Sequence, residues 1–172
     1  MEGLILDFKD YTEGTVYARI AARAIIRKNN RYLFVKGKDG DFKFPGGGME
    51  DGETIRETLM REVSEETGYH VDEVTLSDKP KYFVHEMGKG EIDDKLIMDS
   101  YYYECNVVED ADYINDAEFE TETGYNPVWM TLDEMIEGNN KCIGHELLRW
   151  VKRELIIAGR IRDEKSGIKN QR

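Results

Sequence analysis

In a chain of 172 residues, 36 Asp and Glu outnumber 24 Lys and Arg, giving a formal net charge of −12. That balance argues against nonspecific binding to nucleic acid or to an anionic membrane, which depends on clustered cations. The length suits one domain with its own core, and no apolar run approaches the roughly 18 residues of a membrane-spanning helix.

The amino-terminal MEGLILDFKD is too acidic, and its apolar run too short, for a secretory signal, which points to the cytoplasm. Residues 15–27, TVYARIAARAIIR, alternate between two faces and predict a strand, although the alanines would also suit a helix. Arg19, Ala21, Arg23 and Ile25 share one face, so two guanidiniums are aimed together; they read either as surface charges paired with neighbouring acids or as phosphate contacts. Asn29-Asn30 makes a two-residue turn into RYLFVK, Arg31 to Lys36. Lys36 ends that strand, where plain solvent-facing charge is the simplest reading. KDGD is a turn, and FKFPGGG follows as a short strand ended by Pro45 and glycines that let the backbone approach phosphate or metal closely.

Residues 47–69 read GGMEDGETIRETLMREVSEETGY. Thr54 to Glu57 has the form of a capping box and starts a helix; Gly68 stands where a left-handed cap would stop it. At about 100° per residue, Ile55, Leu59 and Val63 form an apolar stripe that faces the core. Glu62 and Glu66 fall on the same side as Ile55 and Leu59, whereas Glu57, Arg61 and Ser64 take the opposite side. An uncompensated carboxylate at the edge of a core costs several kcal/mol or shifts its pKa until it neutralises, so two together need a cation. A solvated acidic face accounts only for Glu57 and in part for Glu65. Hard oxygen ligands suit Mg²⁺ or Mn²⁺, and Mg²⁺ commonly shares its shell with substrate phosphates.

Beyond the helix, Val71 to Val84 and Leu96 to Val108 predict two long strands paired as an antiparallel ribbon, with HEMGKGEIDDK as the loop between them. Tyr101, Tyr102 and Tyr103 read as packing on two faces rather than a base-stacking platform, and His85 is given no function. Residues 109–124, EDADYINDAEFETETG, form an acidic irregular surface loop. Thr131 to Glu134 is a second capping box, opening a helix that ends at Gly138. Residues 143–158 place Leu147, Leu148, Val151, Leu155 and Ile156 at helical spacing, with Trp150 in the core or at an interface. A polar tail over about 160–172 is expected to fray. Cys105 and Cys142 lack metal-ligand spacing and read as reduced thiols.

Gly47, five residues, Glu53, seven residues, then Arg61-Glu62-Val63-Ser64-Glu65-Glu66-Thr67-Gly68-Tyr69 resembles the Nudix box, GX5EX7REUXEEXGU, where U is a bulky apolar residue. The one soft departure is aromatic Tyr69 in place of an aliphatic residue. The resemblance in motif covers residues 46–69, and it implies a single Nudix domain over 1–172, folded as an α/β/α sandwich with a mixed sheet. It further implies hydrolysis of a nucleoside diphosphate linked to another group, with Mg²⁺ as the principal catalyst and Mn²⁺ as an alternative. Glu62, Glu66 and the Gly46 carbonyl would be metal ligands, with Glu65 a third carboxylate ligand or the base. Arg61 would hold the carboxylates, and Glu53 would fix Arg61 or reach a metal through water. Arg19, Arg23 and Lys36 would meet the substrate, and Glu122, ahead of Trp129, would be the loop carboxylate, with Glu118 and Glu120 as competitors. Relatives specific for ADP-ribose often carry a proline some fifteen residues past the box; here that region reads YFVHEM, and the patterns attached to coenzyme A and NADH hydrolysis are also absent. A nucleoside triphosphate or general nucleoside diphosphate-X compound therefore ranks first and nucleotide sugars second. The opposing class is a noncatalytic nucleotide-binding module, which usually loses box glutamates that this chain keeps. A small-molecule partner is expected, and a homodimer is left open.

Overall fold

A computed structural model of the chain describes residues 2–11, 14–89, 95–108, 126–142 and 149–167. Its centre is a strand, β2 (Val16–Lys28), that turns through Asn29, at φ 57°, into β3 (Arg31–Lys36) as an antiparallel hairpin. On its other edge β2 runs parallel to β8 (Lys95–Val107), which pairs antiparallel with β7 (Tyr82–Lys89); β7 in turn lies parallel to β1 (Glu2–Asp7). The short β4 (Phe42–Lys43) and β9 (Asn126–Met130) flank β3, β5 (Gly46–Gly48) pairs with β2, and β6 (Val71–Asp72) pairs with β8. The sheet is therefore mixed, with order β1-β7-β8-β2-β3-β4 along its main path.

Strand alternation divides the core between the two faces. Ala22, Ala24, Ile26, Leu33, Tyr103 and Cys105 pack against Leu59 and Val63 of α1 (Ile55–Thr67). Ile25, Phe34, Phe44, Tyr82 and Tyr102 pack against Met135 of α2 (Leu132–Lys141) and Ile157, Ala158 and Ile161 of α3 (Arg149–Lys165). This is the expected α/β/α sandwich, and the tyrosine run packs on both faces. Among the described residues, no helix is long and apolar enough to cross a membrane.

Several expected boundaries change. The strand expected from Val71 stops after Asp72, whose carbonyl accepts from Thr75 N–H and whose carboxylate accepts from Val74 N–H. That local turn competes with the ladder and leaves Val74 on the surface. Conversely, His85 to Lys89 belong to β7 and not to the loop. Helix α2 does not end at Gly138: the Phe42 ring lies against it, and a Cβ there would sit 2.6 Å from a ring carbon, so this glycine serves close packing rather than termination. The fraying expected after Gly159 is also corrected, since α3 continues to Lys165 with Ile161 buried. Leu147, Leu148 and residues 168–172 lie outside the described residues. Trp150 donates to Asp41 Oδ2 at 2.8 Å and packs beside Cys142 and Val151. Both cysteines are free and buried, and burial pushes the Cys105 thiol up to about 12.

Candidate active site

Helix α1 is closed at both ends as its sequence requires. Thr54 Oγ1 accepts from Glu57 N–H, the Glu57 carboxylate accepts from Thr54 N–H, and Gly68 caps the far end at φ 72° with its N–H on Ser64 O. Among the box side chains, Arg61 organises the most. Its Nε and Nη2 grip Glu53 bidentately at 2.6 and 3.0 Å; Nη2 also reaches Gly48 O at 3.1 Å, and Nη1 reaches Glu62 Oε1 at 2.9 Å and Glu65 Oε2 at 3.2 Å. Glu53 accepts as well from Glu50 N–H and Thr58 Oγ1, and this set of donors, led by Arg61, holds its carboxyl down at about 2.

Glu62 is in the opposite condition. Burial raises its pKa, Arg61 opposes the rise, and the nearby Glu66 and Glu65 charges reinforce it. Its carboxylate lies over Gly47, where any Cβ would collide with it, so the first box glycine makes room for Glu62. Glu66 is 5 % exposed, accepting from Gly46 N–H at 2.9 Å and from Lys43 Nζ at 2.6 Å. The Glu65 side chain is 56 % exposed.

Gly46, at φ 140°, is held so close to Ala22 O that a Cβ would clash, and its carbonyl accepts from Arg23 Nη1 at 3.3 Å. Arg23 is buried, and its Nε finds no partner among the described residues. The Arg19 guanidinium lies over Gly48. Both arginines thus meet the glycine strand from the one face of β2 that they share. Lys36 is exposed at the end of β3, in register with Phe42 of β4 and Asn126 of β9. Glu118, Glu120 and Glu122 lie outside the described residues.

No three His, Cys, Asp or Glu groups among the described residues form a ready metal cluster. Their chemistry nonetheless fits a hard divalent cation: Glu62 and Glu66 lie one turn apart on α1 with Glu65 beside them, and burial, reinforced by the Glu66 and Glu65 charges, raises the Glu62 pKa, so a cation there would favour the ionised carboxylate.

One arrangement escaped the sequence reading. The segment Phe42 to Gly46 is held by one buried polar side chain from each helix. Asn139 of α2 accepts from Phe42 N–H and donates to Phe42 O, both at 2.8 Å. Glu154 of α3 accepts from Phe44 N–H at 3.1 Å, and Glu66 of α1 takes Gly46 N–H. Glu154 is itself held by Tyr102 Oη and Arg153, whose Nη1 reaches Glu86 at 2.8 Å. A signal did exist: Glu66, Asn139 and Glu154 each interrupt the buried stripe of their helix.

Over 57 residues, 31% of this chain and 34% of the relative, the chain is 42% identical to an ADP-ribose pyrophosphatase of Methanocaldococcus jannaschii. Over 64 residues, 34% of this chain and 57% of the relative, it is 42% identical to an 8-oxo-dGTP diphosphatase of Proteus vulgaris. The matches thus span about a third and a little over half of these relatives' lengths. A solved NUDIX hydrolase from Nitrosomonas europaea shares the fold, with a TM-score of 0.55 at 21% identity over 89% of this chain and 92% of that one. The family model described as NUDIX domain matches residues 17–152, from the central strand through the box helix into α3, and on that match the chain belongs to the NUDIX domain family.

Proposed function

We propose that this chain hydrolyses the pyrophosphate linkage of a nucleoside triphosphate or another nucleoside diphosphate-X compound, acting as one domain on a small molecule in the cytoplasm with a divalent cation, Mg²⁺ or Mn²⁺. The observation that carries the reading is the Arg61 fork, which gathers Glu53, Glu62, Glu65 and Gly48 O around one guanidinium. Glu62, Glu66 and the Gly46 carbonyl would hold the cation, with Glu65 beside them. Bound there, a divalent ion supplies a lowered water pKa and neutralises charge growing on phosphate oxygens.

The chain's own residues do the rest. Arg61 fixes the direction of two carboxylates, and Glu53 fixes Arg61. Glu65, the most exposed of the three acids, has water at hand and can take its proton, a role for which loop residue Glu122 competes. Arg19 and Arg23 stand beside the glycine strand as charges for substrate phosphate, and Lys36 is a further basic candidate. The two relatives named above act, by their names, on ADP-ribose and on an oxidised deoxynucleoside triphosphate. We rank the triphosphate class first, with ADP-ribose and nucleotide sugars behind it. A chromatographic screen of nucleoside triphosphates, ADP-ribose and nucleotide sugars should show a nucleoside monophosphate product with Mg²⁺ and none in excess EDTA. Full turnover by metal-free protein in EDTA would refute the divalent requirement. Tight nucleotide binding with no hydrolysis across the panel would favour the noncatalytic module.

A further inference from the structure

We propose that Lys43 is the site's internal counter-cation: its ammonium holds Glu66 until a divalent ion loads, and the ion must displace it from that carboxylate. This rests on the reading of the box as a divalent-cation site.

The argument starts from burial. The Lys43 and Glu66 side chains are 14% and 7% exposed, and their charged atoms lie 2.6 Å apart. Burying a carboxylate away from water is costly unless a charge partner or several donors compensate it. Arg61 is not that partner, because its contacts are to Glu53, Glu62, Glu65 and Gly48 O. The four box acids are thus divided between two cations: Arg61 takes Glu53, Glu62 and Glu65, and Lys43 takes Glu66.

These two cations differ in how readily they let go. Arg61 holds Glu53 by a planar bidentate grip, a geometry that the single ammonium of Lys43, on its flexible four-carbon stem, cannot form with Glu66. Lys43 Nζ sits on Glu66 Oε1, and the other oxygen, Oε2, is used by the Gly46 backbone. A dication approaching Glu66 therefore meets like charge on the oxygen not committed to the backbone. Binding of the ion and retention of the ammonium oppose one another, a negative coupling that must appear in the affinity for metal. The displaced ammonium stays tethered in β4, three residues before Gly46, where an anionic substrate arriving with the metal can accept it.

The test is a Mn²⁺ titration followed by the electron paramagnetic resonance signal of free Mn²⁺, which needs no substrate, on wild type, Lys43→Met and Lys43→Arg, with folding checked by circular dichroism. Lys43→Met should bind Mn²⁺ about five-fold or more tightly than wild type, in the usual range of couplings between sites. It should also melt at a lower temperature without metal and recover more on adding it. Lys43→Arg should bind Mn²⁺ more weakly than wild type, since a guanidinium forks onto carboxylate and releases it less readily. Unchanged or weaker Mn²⁺ binding by folded Lys43→Met would overturn the proposal alone. If Lys43→Met does not fold, equal or tighter binding by Lys43→Arg overturns it. No Mn²⁺ binding by wild type would overturn the divalent-site reading and the proposal with it.

Discussion

Replacing Arg61 by lysine tests whether the guanidinium is an organiser of carboxylates. Arg61 makes five contacts of 2.6 to 3.2 Å, two of them a fork on Glu53. Lysine has three donors on one nitrogen, so at least two contacts go, and one nitrogen cannot grip Glu53 with a fork while reaching Glu62. At about 1.5–3 kcal/mol for each hydrogen bond to a charged group, two losses come to roughly 3–6 kcal/mol. The Arg61 side chain is 23% exposed, and water will replace part of what is lost. Halving the sum leaves about 1.5–3 kcal/mol, which corresponds to a fall in kcat of about one to two orders of magnitude if the misplacement of Glu62 and Glu65 is felt fully in the transition state. The assay is steady-state hydrolysis of the best nucleotide from the screen at saturating Mg²⁺, beside thermal melting of the same preparation. KM should move little. A folded Arg61→Lys variant with wild-type kcat would remove Arg61 from the scheme, and a raised KM with unchanged kcat would make it a substrate contact instead.

Three further outcomes follow from the same geometry. Glu66→Gln keeps the shape but turns an amide N–H₂ toward Lys43 or the Gly46 N–H, so turnover should drop by about two to four orders of magnitude and the melting temperature should fall; retention of both would refute its place in the site. The folded-state pKa of Glu53 is depressed to about 2 from 4.5, so its contribution to stability is complete above pH 4.5 and is lost as pH falls toward 2. The melting-temperature gap between wild type and Glu53→Gln should accordingly be widest near neutrality and close across that window; a gap that stays constant into acid contradicts the assignment. Glu122→Gln should lower turnover at least about tenfold if that residue is the base, with Glu118→Gln and Glu120→Gln near neutral; the reverse ranking would pass the role to whichever residue failed.

What could be read from the sequence was what is decided locally. The capping boxes at Thr54 and Thr131, the left-handed cap at Gly68 and the stripe of Leu59 and Val63 each depend on residues within two turns of one another, and all are present. The misread boundaries trace to partners far along the chain. Gly138 looked like a stop because its reason, the Phe42 ring, lies nearly a hundred residues earlier. Gly159 has open space around it and only the usual helix cost of about 1 kcal/mol, which the buried Ile161 side of α3 outweighs. At Asp72 the failure was local in another way, since an apolar count overlooked a side chain able to close its own turn. The box carboxylates were legible as a set, but the partners of Lys43, Asn139 and Glu154 were not: an interrupted helix stripe flags Asn139 and Glu154 as buried polar groups without showing which distant part of the chain they meet.

The triple hold on Phe42 to Gly46 also sets when the site can exist. During synthesis the box is complete once Tyr69 has been added, yet the strand that places Gly46 still lacks Asn139 and Glu154. Roughly 85 residues separate Tyr69 from Glu154, which at 5–20 residues per second is about 4–17 s of elongation. Through that interval the carboxylates of α1 are a charged surface without a finished strand opposite them. The chain makes its box helix early and the means of aligning it late, so the site is completed only once α3 has been made.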